Sequence, residues 1–343
     1  MRDLAKRFRG FADRECPTSP TYRRQAIAVA EDPDLLAVAA LVRPDQPAPN
    51  LLFAAVRWLL HDPDQAGEPL AAHYRSVAAG NKPPPDLEAR FRRFVLEHRE
   101  ALVPLLQTRR VQTNEVNRCA YLMPAFCLAS RLAGNRPLAL LEIGASAGFN
   151  LRWDRYQYRF NEQAATGLRG SPVTIRSDFH NDRLPPMPEP WPSIIHRRGV
   201  DLDPVDPLDA EAQAWLEALI WPEHADRRER LRGAIRIAEE EPVPVDRADG
   251  FADLENLVAA LPADALTVVF HTHVANQLDR AARETLLERI RTLGAGRDLA
   301  HLFNNIQPHL HLTLCLEGKV SEIPLAHAEG HARRVDWIGP VVG

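Results

Sequence analysis

The residues best equipped for chemistry lie in one short stretch. Glu142 precedes Gly144, Ala145, Ser146, Ala147 and Gly148, with Asn150 two positions further on. Five small residues in succession let a ligand approach the backbone and permit a sharp turn. A carboxylate two residues before the first glycine supplies a charge-assisted hydrogen bond to a cationic group. Residues 138–141 are four apolar residues in a row and Ile143 extends them, which reads as a buried strand at the centre of a parallel sheet. Residues 149–156 read as the start of a helix whose N-terminal amides face the same space.

Three turn chemistries compete for this stretch. A Walker-type phosphate loop requires a lysine, which is absent here. A dinucleotide loop places glycine where Ser146 stands. The pattern that remains, acid-x-Gly-x-small-x-Gly, resembles the turn of S-adenosylmethionine-dependent methyltransferases. There the ligand end carries an ammonium and a sulfonium, against which a strand-end carboxylate is useful.

Other reactive side chains fall at predicted strand ends. His271 and His273 leave an apolar strand around 267–270, share one face if the backbone is extended, and are the candidate general bases. Asp201 and Asp203 close the strand around 194–200, and Asp201 is the preferred ribose-binding acid, with Asp178 as its rival. Asp249 follows a short third strand, read at 243–245, where an acid can accept from the amine of an adenine. Gly144-Ala-Ser146-Ala-Gly148 also fits the Gly-x-Ser-x-Gly elbow of hydrolases on paper, although Glu142 would oppose a developing oxyanion. His271/His273, His309/His311 and His327/His331 offer paired imidazoles, but no H-E-x-x-H motif accompanies them and no metal site is assigned.

Positioning these groups requires a sheet with helices. Residues 1–110 carry apolar spacings of three and four without strand alternation, an all-helical region read as a lid that also supplies structure. A helix follows to Arg131, capped by Thr113 or Asn114, with Leu122, Ala125, Phe126, Ala129 and Leu132 as its buried stripe and Gly134 as its stop. Its start is unusually polar, with Gln112, Thr113, Asn114, Glu115, Asn117 and Arg118. Residues 152–192 contain two short alternating runs and a proline-rich loop, read as an inserted hairpin. Two helices split at Pro222, a helix stopped by Gly294, and closing strands with a Glu317-Gly318-Lys319 turn complete the chain. The expected fold is therefore α/β: a doubly wound, mostly parallel, Rossmann-like sheet over 111–343 with an inserted β-hairpin and a helical N-terminal region.

Composition narrows the function classes. A net charge of −4 makes no electrostatic case for nucleic acid, and no apolar run approaches the roughly 20 residues that span a bilayer. The N-terminus lacks the apolar core of a signal peptide, so a cytoplasmic protein is expected. The four cysteines show no C-x-x-C spacing, so neither a zinc knuckle nor a disulfide framework is indicated.

Several segments, in the same order, resemble a bacterial family known chiefly as a domain of unknown function with a class I methyltransferase-like fold: VQTNEVNR, LLEIGASAGFNLRWDRY, RRGVDLDPVD, LIWPEH with RRERL, and VVFHTHV followed by LAHAEGH and VDWIG. The resemblance implies an S-adenosylmethionine site. Glu142, Gly144, Ser146 and Gly148 would serve the methionine end, Asp201 the ribose and Asp249 the adenine. It also draws Thr113, Asn114, Glu115 and Arg118, the polar helix start, toward the site, with Asn114 and Arg118 as cofactor contacts. Ser146 in the middle glycine's place and Gly250 after the adenine acid depart from the usual pattern. The activity implied is methyl transfer to a small-molecule acceptor. A cofactor-binding or inactive interaction module, and a hydrolase using Ser146 or a His-bound metal, are the alternatives.

Overall fold

The computed structural model describes residues 1–65, 67–180, 184–185, 187 and 190–341, and its chain forms two compact units. Part of the proline-rich loop, at 186 and 188–189, lies outside the described residues.

The first unit comprises Met1–Thr113 and Leu208–Leu231. Its helices are α1 (Arg2–Arg14), α2 (Pro20–Glu31), α3 (Pro33–Ala39), α4 (Ala48–Leu60), α5 (Pro69–Ala78), α6 (Leu87–Glu97) and α7 (Arg99–Thr108). Local chemistry sets their starts: Ser19 caps α2 by accepting from the Tyr22 amide, and Asp32 caps α3, each followed by proline at the first helical position. Helix α4 is apolar almost all round and forms the centre. Its Phe53 meets Tyr22 at 4.6 Å and Phe91 at 5.7 Å between ring centroids. Segment 208–231 adds α9 (Ala210–Ala218) and the first turns of α10 (Ala225–Glu240), so this unit draws on more of the chain than its N-terminus.

The second unit comprises Asn114–Pro207 and Arg232–Gly343. Helix α8 (Cys119–Leu132) precedes β1 (Leu138–Ile143); then come β2 (Gln157–Phe160), β3 (Thr166–Gly167), β4 (Thr174–Phe179), β5 (Ile194–Asp201), β6 (Val245–Arg247), α11 (Leu254–Ala259), β7 (Leu266–His271), α12 (Arg280–Gly296), β8 (Leu299–Phe303), β9 (Leu310–Leu316), β10 (Lys319–Ala328) and β11 (Arg334–Trp337). The strands form one sheet in the order β3-β2-β4-β11-β10-β9-β8-β7-β1-β5-β6. The run β8-β7-β1-β5-β6 is wholly parallel. After an excursion through β2, β3 and β4 at the far end of the sheet, the chain lays β5 and β6 on one side of β1, then places β7 and β8 on the other. The β1/β7 boundary is therefore where strand order reverses, the place at which open α/β sheets hold ligands.

Alternation sorts β1 between two layers. Ala139, Leu141 and Ile143 join Val200, Val269, and apolar residues of α11 and α12 in one core. Leu138, Leu140 and Glu142 face the other way. On that side α8 packs, its Phe126 ring 5.0 Å from Phe270, the residue in register with Glu142.

Several expectations change. The two alternating runs of 152–192 are no hairpin: β2 and β4 run parallel, and only the two-residue β3 pairs antiparallel with β2. Period-two alternation fixes which face a residue occupies but carries no strand direction. Gly294 does not stop α12; it lies inside the helix, where an added Cβ would come 2.4 Å from Cys315 Sγ, so it serves close packing on β9. Leu132 is exposed, whereas α8 is otherwise buried on nearly every side through Ser130. The third strand starts at Val245 and ends at Arg247, two residues later than read. The Glu317-Gly318-Lys319 turn is where it is expected, but β10, the strand after it, is one that the sequence reading leaves unassigned. It is joined to β9 by Glu317 and Gly318, both at positive φ as a two-residue hairpin requires.

Candidate functional site

Strand β1 ends in the small-residue turn, and the turn is built from left-handed backbone. Gly144, Ser146 and Gly148 have φ of +72°, +52° and +68°. A Cβ on Gly144 would lie 2.3 Å from Val274 Cγ2, so glycine there meets both a backbone and a space requirement. Ser146 alone among these three is not a glycine, yet it adopts the left-handed conformation that favours glycine. Two further contacts hold the turn: Arg152 Nη1 donates to the Gly148 carbonyl at 2.8 Å, and Asn114 Nδ2 donates to the Ala145 carbonyl at 2.6 Å. Residues 149–155, read as a helix start, form a short 3-10 segment that begins directly after Gly148 and is kinked at Arg152, not a regular α-helix.

Glu142 is almost fully buried. Its Oε1 accepts from Asn150 Nδ2 at 2.9 Å, and its Oε2 has no partner among the described residues. Burial pushes its carboxyl up to about 8, against the opposing pull of the Asn150 hydrogen bond and the Arg118 charge. Asn114 Oδ1 and Ser146 Oγ are also buried without a partner. Three oxygens able to accept hydrogen bonds therefore surround one turn with nothing donated to them.

Asp201 is placed on the same face but used differently. Its Oδ2 accepts from the Ser146 amide and its Oδ1 from the Asp203 amide, both at 2.8 Å, which ties β5 to the turn. Gly199 makes that approach possible, since a Cβ there would come 2.7 Å from Ala145 Cβ. The Asp203 side chain pairs with Arg247 at 2.8 Å. Asp249 lies beyond β6, where its Oδ1 accepts from the Phe251 and Ala252 amides. Asp178 sits on β4, separated from β1 by β11, β10, β9, β8 and β7, and pairs with Arg334 in register.

The two histidines separate. His271 shares the side of β7 that carries Val269, the opposite face of the sheet from Glu142. It is fully buried; its Nε2 lies 3.1 Å from His301 Nε2, and burial holds its imidazole down at about 3. His273 does not share its face, because φ of +57° at His273 breaks the extended backbone that the pairing assumed. Its amide is fixed by Asn304 Oδ1 at 2.7 Å. Burial, then the Arg118 and His331 charges, bring its imidazole to about 3 as well. An imidazole held that low is a weak proton acceptor.

The polar start before α8 has a clear role. Its cap is Glu115, not Thr113 or Asn114: the Glu115 carboxylate accepts from the Asn117 amide. Asn117 Nδ2 donates to the Arg176, His331 and Ala332 carbonyls, and Arg118 donates to the Gly330 carbonyl and to Thr272 Oγ1. These contacts pin the 329–332 loop beside the end of β7. They also bring His331 Nδ1 to 3.4 Å from the buried Glu115 Oε2. Sequence reasoning missed that pair and Asn304. The signals for the pair's members are the separation of four between His327 and His331, read as a possible metal pair, and their places in the VQTNEVNR and LAHAEGH segments; neither signal joins the two.

Among the described residues, no three His, Cys, Asp or Glu side chains form a group able to hold a metal, and no helix is long and apolar enough to cross a membrane. All four cysteines are free and buried.

Over residues 5–337 the chain matches the model of a family described as an uncharacterized protein conserved in bacteria, DUF2332, and it belongs to that family. No curated protein and no solved structure matches it.

Proposed function

From this bacterial family and the geometry of the β1 turn, we propose that the protein is an S-adenosylmethionine-dependent methyltransferase acting on a small-molecule acceptor. One observation carries the reading. The turn presents Glu142 Oε2, Asn114 Oδ1 and Ser146 Oγ, buried oxygens to which no described residue donates, in a site where burial holds the Glu142 carboxyl high. Such a cluster of unpartnered acceptors complements a group that brings N–H donors and positive charge. The amino-acid tail of S-adenosylmethionine brings an ammonium and, next to it, a sulfonium. A pyrophosphate brings neither. The strand order β6-β5-β1-β7-β8 supports the finer reading of a class I methyltransferase-type sheet, because it puts this turn at the reversal of strand order.

In this proposal Glu142 binds the ammonium, Gly144 and Gly148 give the ligand access to backbone, and Asp201 holds the turn at its distance from β5, on the ribose side. Asp249 lies on the adenine side. Bound S-adenosylmethionine supplies the methyl group, and the protein's contribution is positioning and exclusion of water. An acceptor that sheds a proton needs a base at the same mouth. His331, backed by buried Glu115, is better suited to that than His271 on the far face or His273. The hydrolase alternative is not favoured: Ser146 Oγ has no base within hydrogen-bond reach among the described residues.

A crystal grown with S-adenosylhomocysteine tests the proposal. The amino-acid tail is expected beside Glu142, within hydrogen-bond reach of Oε2. A structure with that turn filled by side chains and the nucleoside elsewhere overturns it, leaving the interaction-module reading.

A further inference from the structure

Helix α4 carries a cation that the protein leaves uncompensated. Arg57 is only 6 % exposed, yet among the described residues its guanidinium makes no hydrogen bond or ion pair, and its Nη1 is wholly buried. A buried charge of this kind is strongly unfavourable unless something neutralises it. Polar atoms of helix α2 that face the same core are equally unfinished. Phe53 lies one turn earlier on the same face of α4, and the Tyr22 ring rests on it at 4.6 Å. The Tyr22 phenol is thereby brought toward Arg57, whose charge works against the burial that raises that phenol well above its ordinary value. Tyr22 Oη is buried and has no partner, and neighbouring Thr21 Oγ1 has none either. On the next turn of α2, Gln25 exchanges hydrogen bonds with the Tyr74 hydroxyl from α5, and Tyr74 also feels the Arg57 charge. The nearby Glu223 carboxylate is engaged elsewhere: Ser19 Oγ donates to its Oε2 at 2.6 Å and the Thr21 amide to its Oε1 at 2.9 Å.

We infer that the centre of the helical unit is a binding site for a small oxyanion, a carboxylate or a phosphate, held by the Arg57 guanidinium and the Tyr22 hydroxyl. The guanidinium presents N–H donors in a planar fork suited to two oxygens of one anion. The phenol supplies a further donor that costs nothing to turn, since no residue competes for it. This site is independent of the β1 turn and of the methyltransferase reading, and it does not use the same residues.

Calorimetric titration of the whole chain with inorganic phosphate, and separately with acetate, against chloride at matched ionic strength, tests it. Saturable binding of one anion per chain is expected. Binding of phosphate alone identifies a phosphate site, and of acetate alone a carboxylate site. Arg57→Met should weaken the binding at least tenfold, and Tyr22→Phe severalfold. Without the anion, Arg57→Met should melt no lower than the parent, because it removes an unpaired charge. Should Arg57→Met not fold, a crystal grown in phosphate gives the same answer: the anion must contact Arg57. No saturable binding beyond the chloride control, undiminished affinity in Arg57→Met or Tyr22→Phe, or an anion seated elsewhere overturns the inference.

Discussion

Glu142 and Asp201 end neighbouring parallel strands and face the same side of the sheet, but their carboxylates have opposite fates. Asp201 is filled: a backbone amide donates to each of its oxygens, and it acts as a strut between β5 and the turn. Glu142 is half empty, with one oxygen on Asn150 and the other buried without a donor. An acid whose oxygens are met by backbone is part of the fold. A buried acid left with an open oxygen costs the fold stability, and such a cost is retained where a ligand relieves it.

The sharpest way to break the contrast is to neutralise Glu142. Glu142→Gln keeps an acceptor for Asn150 but removes the charge. Its affinity for S-adenosylmethionine at pH 7 should drop by about a hundredfold, the scale of a charge-assisted hydrogen bond. Stability should move the other way. The Glu142 carboxyl is raised from 4.5 to about 8 in the folded protein. Its contribution is therefore fully present below pH 4.5 and is lost as pH rises to about 8. Denaturant titrations should show Glu142→Gln more stable than the parent at pH 7 by roughly 1–3 kcal/mol, with the difference vanishing near pH 4. A variant that loses both stability and binding at pH 7 would make Glu142 a second strut.

Gly144→Ala comes next. Its Cβ meets Val274 at 2.3 Å in a left-handed backbone, so a loss of about 2–3 kcal/mol in unfolding free energy is expected. Ligand binding should disappear with it. For Asp201→Asn the order of effects reverses relative to Glu142→Gln. One backbone amide loses its acceptor, at a cost of about 1–3 kcal/mol, while ligand affinity should fall by less than tenfold. Equal loss of affinity in both acids, with the fold intact, would erase the distinction between strut and ligand contact.

The smallest effect is expected at Ser146. Replacing a serine at φ +52° by glycine should add about 0.5–1 kcal/mol of stability and leave binding within severalfold. A fluorophosphonate probe should not label Ser146, and stoichiometric labelling would revive the hydrolase reading.

The sequence made the centre of this site legible because its signals are local. Four apolar residues in a row before the small-residue turn mark β1, and the glycines mark a turn whose backbone only they adopt without strain. The acid at the end of β5 is equally visible, but the bond that ties it to the site is not, since it comes from the Ser146 amide in a turn 55 residues away. His271 and His273 misled for a definite reason. Sharing a face requires extended backbone through both residues, and the left-handed conformation at His273 ends it. The Glu115–His331 pair is joined across more than 200 residues by loop carbonyls that Asn117 and Arg118 hold. No spacing rule reaches that far. The direction of β4 was hidden too, because a parallel neighbour and a hairpin partner read alike in a two-residue period.

The most direct measurement is calorimetry of S-adenosylmethionine and S-adenosylhomocysteine in buffers of different ionisation enthalpy between pH 6 and 7. Glu142 is protonated there in the free protein and ionised once an ammonium rests against it. Binding should therefore release close to one proton, and affinity should rise by about tenfold over that pH unit. No binding of either nucleoside, or binding with no proton released and no dependence on pH, would contradict the account.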